Sequence, residues 1–213
     1  MSPDRSITLF HAPQTRSSGV LMLLEELGAP YTLHVLNMKT GDQRGPDYLA
    51  VNPMGKVPAI RHGDAIVTEQ VAVYLYLADL FPEAGLAPAL NDPLRGPYLR
   101  WFAFYGSAFE PAITDRALKR EPPPPGMSGY GDFDTMLGTF VGQLKQGPYL
   151  LGERFTALDL LWGGALSWML MFKLLPELPE LVAYTGRHTA RLSFAKVRGI
   201  DTELTAKHAA SEA

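Results

Sequence analysis

The chain reads as a mixed α/β domain followed by an all-helical one. Up to about residue 80, short runs rich in β-branched and aromatic residues alternate with helical spacing. From about residue 92 the strand pattern stops and only helical spacing remains. Between them, Pro82 to Pro93 is rich in Pro, Ala and Gly, the composition of a linker. The expected division is 1–81, a linker 82–91 and a helical domain 92–213.

In the first part, Ile7 to His11 reads as a strand, and Val20, Leu23, Leu24 and Leu27 mark one face of a helix. Gly28 stops that helix where a left-handed residue is favoured, and Pro30 follows. Tyr31 to Leu36 is a second strand, and Pro46 to Ala50 a short helix. Val57 to Ile60 leads through the turn His62-Gly63-Asp64 into Ala65 to Val67, a hairpin. A helix over 69–80, opened by a Thr68 cap, closes the unit, giving the order β-α-β-α-β-β-α.

In the second part, Tyr98 to Ala117 carries a stripe of large residues at helical spacing, and Phe133 to Leu144 is helical by pattern. The four prolines within Glu121 to Gly131 demand an exposed loop. Thr156 and Asp159 form a capping box, with Phe155 and Leu160 as its staple. Leu160 to Phe172 reads as a buried helix, with Trp162 and Trp168 in the core. Residues beyond Ala206 read as a frayed tail.

Composition removes several function classes. With 46% hydrophobic and 19% charged residues the chain is ordinary globular protein, and its net charge of −3 argues against a nucleic-acid partner. No Cys is present, which excludes disulfides, thiolate metal sites and a dithiol cycle run by the protein. The five His residues, His11, His34, His62, His188 and His208, lack metal-ligand spacing, so no metal is expected. The greasiest stretch falls short of the roughly 20 residues that cross a bilayer, and no leader pattern is seen, so neither a membrane role nor export is expected.

The segment Asn52-Pro53-Met54-Gly55-Lys56-Val57-Pro58-Ala59-Ile60, followed by Thr68-Glu69-Gln70, carries the most chemistry. Pro58 confines Val57 to an extended conformation, which suits an edge to which a peptide backbone adds. A helix start nearby offers unpaired N–H groups and positive potential for a carboxylate. An acidic tripeptide needs both. These residues resemble the glutathione-binding half of the cytosolic glutathione transferases, a resemblance that extends over nearly the whole chain. It implies a thioredoxin-like first domain, an all-α helical bundle second, glutathione as co-substrate, and a cis peptide bond before Pro58.

The resemblance also implies site residues. Val57 matches the position whose backbone pairs with the cysteinyl unit, and Glu69 and Gln70 the pair that holds the γ-glutamyl end, with Gln70 where the family has Ser. Gln43, Arg44 and Lys56 match positions near the glycine carboxylate, with Lys39 a weaker candidate. A hydroxyl at the start of the first helix stabilises the thiolate in this family. A free thiol, of pKa about 8.5, is only a few per cent ionised near neutral pH. Register places Gln14 at that point, with Thr15 beside it; Thr15 is the preferred donor, Ser17 and Gln14 the alternatives. Ser17 and Ser18 also suit an N-cap, and Arg16 would bring positive charge near the sulfur. The apolar electrophile is expected between the domains, where Trp101, Tyr105 and Phe109 fall on one helix face; such a stripe is more often core than pocket, and Tyr105 is the best pocket candidate because its hydroxyl needs water or a partner.

The function implied is conjugation of glutathione to small apolar electrophiles, a detoxification chemistry, in a cytoplasmic homodimer. Two rivals stand beside it. One is a glutathione-dependent disulfide reductase or peroxidase working without a protein cysteine. The other is a non-catalytic interaction module that keeps the fold.

Overall fold

The structure, a computed structural model, describes residues 4–211. Its sheet has the order β2-β1-β3-β4. Strand β1 (Ile7–His11) runs parallel to β2 (Tyr31–Val35) and antiparallel to β3 (Ala59–His62), which pairs antiparallel with β4 (Ala65–Thr68). The parallel pair needs a crossover, supplied by helix α1 (Arg16–Leu27), whereas Gly63 at φ 56 lets β3 and β4 join in a tight hairpin. The short helix α2 (Pro46–Leu49) and helix α3 (Gln70–Leu80) complete the expected order. Ile7, Leu9 and His11 alternate with Thr8 and Phe10 along β1. Phe10 packs with Ala12, Leu36, Tyr48 and Ala59 in one cluster, against which Val57 also rests. His11 thus points to the opposite face, where α1 lies.

Two local corrections concern helix starts. Helix α1 begins at Arg16, one turn before the apolar stripe at Val20, because Thr15 caps it: its side chain accepts the Ser17 N–H. Thr68 is not a cap. Its pairing with Ala59 keeps it in β4, and the N-cap of α3 is Glu69, which makes no side-chain cap bond.

Contacts group the chain into two compact units: one holds the residues up to Gly85 with those from Ala190 on, the other Leu86–Thr189. The second unit contains α4 (Arg95–Phe104), a π turn (Tyr105–Phe109), α5 (Glu110–Ala117), α6 (Phe133–Leu144), α7 (Ala157–Met171) and α8 (Pro179–Thr189). Its core centres on Trp162, stacked on Phe140 at 4.2 Å between ring centroids, with Phe109 at 4.7 Å. The capping box is present, with Asp159 accepting the Thr156 N–H at 2.8 Å, and the same carboxylate accepts two further bonds, from the Leu150 N–H (3.0 Å) and the Tyr184 hydroxyl (2.8 Å). Burial still pushes its carboxyl above the ordinary carboxylate range. Trp168 is not core: it is exposed, stacked on exposed Phe172, because the apolar stretch outlasts the neighbours that could cover it.

Helix α9 (Leu192–Ser211) belongs by contact to the first unit and stays helical from Ala206 to Ser211, where fraying was expected; the last two residues of that stretch lie outside the described residues. Charged bonds to α1 explain its place. Arg191 grips Glu26 with two bonds of 2.7 Å, Ser193 donates to the same carboxylate, and Lys196 meets Glu25 at 2.6 Å.

Candidate active site

The site is assembled at two loops of the first unit. In the first, His11 ends β1 and the chain turns through Ala12, Pro13 and Gln14 into the Thr15 cap. Gln14 takes φ 57, a left-handed conformation uncommon without glycine. Its N–H is held by Asp201 Oδ2 at 2.8 Å, and the Ser18 hydroxyl donates to the same oxygen at 2.6 Å. The Gln14 side chain is exposed, and Thr15 is half-buried. Ser17 is fully buried, in bonding contact with the Ala12 N–H and carbonyl, Thr15 Oγ1 and His11 Nδ1. Burial keeps Ser17 from any bound sulfur. Ser17 and Ser18 lie in the first turn of α1 and are not its cap.

Thr15 Oγ1 lies 2.8 Å from the Ala12 carbonyl and 2.8 Å from Ser17 Oγ, and it accepts the Ser17 N–H at 3.2 Å. It is a hydroxyl at the positive end of a helix, on a half-buried side chain. An anion placed there gains from the helix dipole and from a hydrogen-bond donor. Arg16 beside it is exposed.

The second loop is the 52–58 segment. Buried Asn52 shapes it, accepting the Met54 N–H at 3.1 Å and donating to the Lys56 carbonyl at 2.8 Å. Tyr48 donates to that carbonyl as well, at 2.6 Å, and burial pushes its phenol up to about 12. Gly55, at φ 59, has no room for a side chain: a Cβ there would meet the Gln43 carbonyl at 2.7 Å. This close approach brings Gln43 and Arg44 to the loop, Arg44 donating to the Met54 carbonyl at 3.3 Å. Lys56 and Arg44 are exposed cations. The Val57–Pro58 bond is cis, as the resemblance implies. Val57 puts its side chain on the Phe10 cluster and, among the described residues, its backbone makes no hydrogen bond.

Glu69 is the third element, exposed and at φ 64, ψ 118. A non-glycine residue held there points to a functional constraint, since such conformations cost about 1–3 kcal/mol. Gln70 follows in the first turn of α3, its amide 3.4 Å from the Arg16 carbonyl. Lys39 is exposed, its N–H taken by Asn37 at 3.0 Å.

Trp101, Tyr105 and Phe109 are 2%, 3% and 0% exposed, packed around Trp162. The Tyr105 hydroxyl, expected to need water or a partner, finds one in Glu110, to which it donates at 2.7 Å. Their burial makes them core, with no face left for a ligand. His11 and Asp201 were not legible as site residues: they are 190 positions apart, and nothing local marks either. Among the described residues no group of three or more His, Asp or Glu side chains could hold a metal ion, and no helix is long and apolar enough to cross a membrane.

Comparison with known proteins accounts for this arrangement. The family model of the glutathione S-transferase N-terminal domain matches residues 16–80. The glutathione S-transferase GstA of Escherichia coli O157:H7 is 30% identical over 186 residues, covering 86% of this chain and 92% of that protein. A glutathione transferase from Methylococcus capsulatus superposes with a TM-score of 0.77 at 28% identity, covering 92% of this chain and 98% of its own. A glutathione transferase homologue from Sulfitobacter, solved with bound glutathione, gives 0.70 at 28% identity, with the same coverage of 92% and 98%. The thioredoxin-like plus helical fold is therefore shared. The chain belongs to the glutathione S-transferase family and is an enzyme of the transferase class.

Proposed function

We propose that this chain binds glutathione along the Val57, Glu69 and Thr15 loops and transfers its sulfur to small apolar electrophiles. The observation that carries this reading is the half-buried Thr15 hydroxyl at the N-terminus of α1. It supplies a donor and a positive helix end where a thiolate would form. Proximity and thiolate stabilisation then do the catalytic work, since the attack itself needs no protein nucleophile.

The unpaired Val57 backbone takes the cysteinyl unit as an added strand. Glu69 and Gln70 hold the γ-glutamyl end, while Arg44 and Lys56 balance the glycine carboxylate, with Gln43 beside them. Bound glutathione in the Sulfitobacter homologue supports glutathione as the ligand. Within the reading, residues 1–81 form the glutathione-binding domain, 82–91 the linker and 92–213 the helical domain. The protein acts as a cytoplasmic homodimer in detoxification. Thr15 is ranked above Gln14, whose amide is a weaker donor on an exposed side chain, and above buried Ser17.

The test is turnover of an activated aryl halide with glutathione by the purified protein. Saturable turnover that falls about tenfold or more in Thr15→Ala supports the reading, a loss of about one pKa unit of thiolate stabilisation. Saturable glutathione binding with no turnover of any electrophile in a broad panel overturns it and favours an interaction module.

A further inference from the structure

His11 is fully buried, with both ring nitrogens engaged. Nε2 lies 3.0 Å from Asp201 Oδ1, and Nδ1 lies 2.9 Å from Ser17 Oγ. Ser17 Oγ in turn lies 2.8 Å from Thr15 Oγ1. An unbroken line of hydrogen bonds therefore joins a carboxylate on α9 to the hydroxyl at the start of α1. A carboxylate only accepts, so Asp201 fixes the proton on Nε2. Nδ1 of the neutral ring is left as an acceptor, and Ser17 is the hydroxyl that faces it.

We propose that Asp201, His11 and Ser17 form a buried proton relay that takes the thiol proton of bound glutathione through the Thr15 hydroxyl. This rests on the reading of Thr15 above. In the step, the S–H bond breaks and its proton passes to Thr15 Oγ1. Thr15 passes its own proton to Ser17 Oγ, and Ser17 passes its own to His11 Nδ1. A thiolate and an imidazolium result, and no co-reactant is consumed. Every group is satisfied afterwards. The imidazolium donates to Asp201 and Ser17, Ser17 can turn to the Ala12 carbonyl at 3.0 Å, and Thr15 donates to sulfur.

The order of groups is that of a hydrolytic Asp-His-Ser triad, with the two ring nitrogens exchanged. Complete burial of Ser17 rules out that use, because no substrate carbon reaches it. On the Ser17 side the line ends at Thr15. Burial pushes the Asp201 carboxyl up, but bonds from His11, Ser18 and the Gln14 N–H outweigh it and hold the group below the ordinary range. An ionised Asp201 beside the ring is what a buried imidazolium requires.

The experiment mixes the protein with glutathione in weak buffer, following the ultraviolet thiolate band and a pH indicator together. S-methylglutathione, which has no thiol proton, gives the background. If His11 keeps the proton, the wild type releases far less than one proton per thiolate formed. Release of one proton per thiolate overturns the relay, and this reading needs no variant to fold. His11→Asn and Ser17→Ala cut the line at two points. Each should lower the thiolate fraction about tenfold, the effect of one pKa unit. Unchanged thiolate in both also overturns the relay. Thr15→Ala separates the two proposals. If it loses thiolate while His11→Asn does not, the relay alone fails. If Thr15→Ala keeps its thiolate, the Thr15 reading fails and the relay with it.

Discussion

Asp201 Oδ2 accepts the backbone N–H of Gln14 at 2.8 Å, across 187 residues of chain. The bond fastens a left-handed residue immediately before the Thr15 cap to a helix made by the end of the sequence. The geometry of the Thr15 loop is thus set by α9 as well as by the strand and helix that flank it.

Asp201 contributes to stability with a definite pH dependence. Its carboxyl lies below the ordinary value of about 3.9, so the stabilisation is complete above that pH and is lost as pH falls through the lower, folded-state value. The gap in urea stability between wild type and Asp201→Asn should be constant from pH 7 to about pH 5 and shrink below about pH 4. A gap that widens on acidification would contradict this.

The Arg191–Glu26 pair fixes how α9 begins. Both side chains are mostly covered and the bond is double, at 2.7 Å each. Arg191→Ala should cost about 1–2 kcal/mol in denaturant unfolding, the worth of a charge-assisted bond reduced for partial exposure. Hydrogen exchange should rise first along α9.

Asp159 is a buried carboxylate on which three donors of the helical unit converge. Asp159→Ala leaves the Leu150 N–H, the Thr156 N–H and the Tyr184 hydroxyl without an acceptor. A loss of about 3 kcal/mol or more is expected, by thermal or denaturant unfolding.

Glu69 separates binding from folding. Glycine relieves the positive φ at this position but adds backbone entropy to the unfolded chain. Glu69→Gly should change stability by less than about 1 kcal/mol. Calorimetric titration should nevertheless show glutathione affinity down tenfold or more, a cost of about 1.4 kcal/mol.

Periodicity and turn residues made most of the fold legible. Strand β1 and helix α6 fall where their patterns place them, and the Thr156–Asp159 box is present as read. What escaped was non-local. The first turn of α1, Arg16-Ser17-Ser18-Gly19, has no apolar stripe, and only the Thr15 cap reveals it. Residues after Ala206 look like a tail because the pull on α9 comes from Glu25, Glu26, Gln14, Ser18 and His11, far away in sequence. The candidate residues for glutathione were named from a local motif, whereas the aromatic stripe of Trp101, Tyr105 and Phe109 could be core or pocket until Trp162 was seen to cover it.

The most direct measurement is a pH titration of the ultraviolet thiolate band of glutathione bound to wild type and to Thr15→Ala. A wild-type midpoint below the free thiol value of about 8.5, moving up by about one unit or more in Thr15→Ala, is the expected result. A midpoint at the free value in the wild type, or the same midpoint in both proteins, would contradict thiolate stabilisation by Thr15.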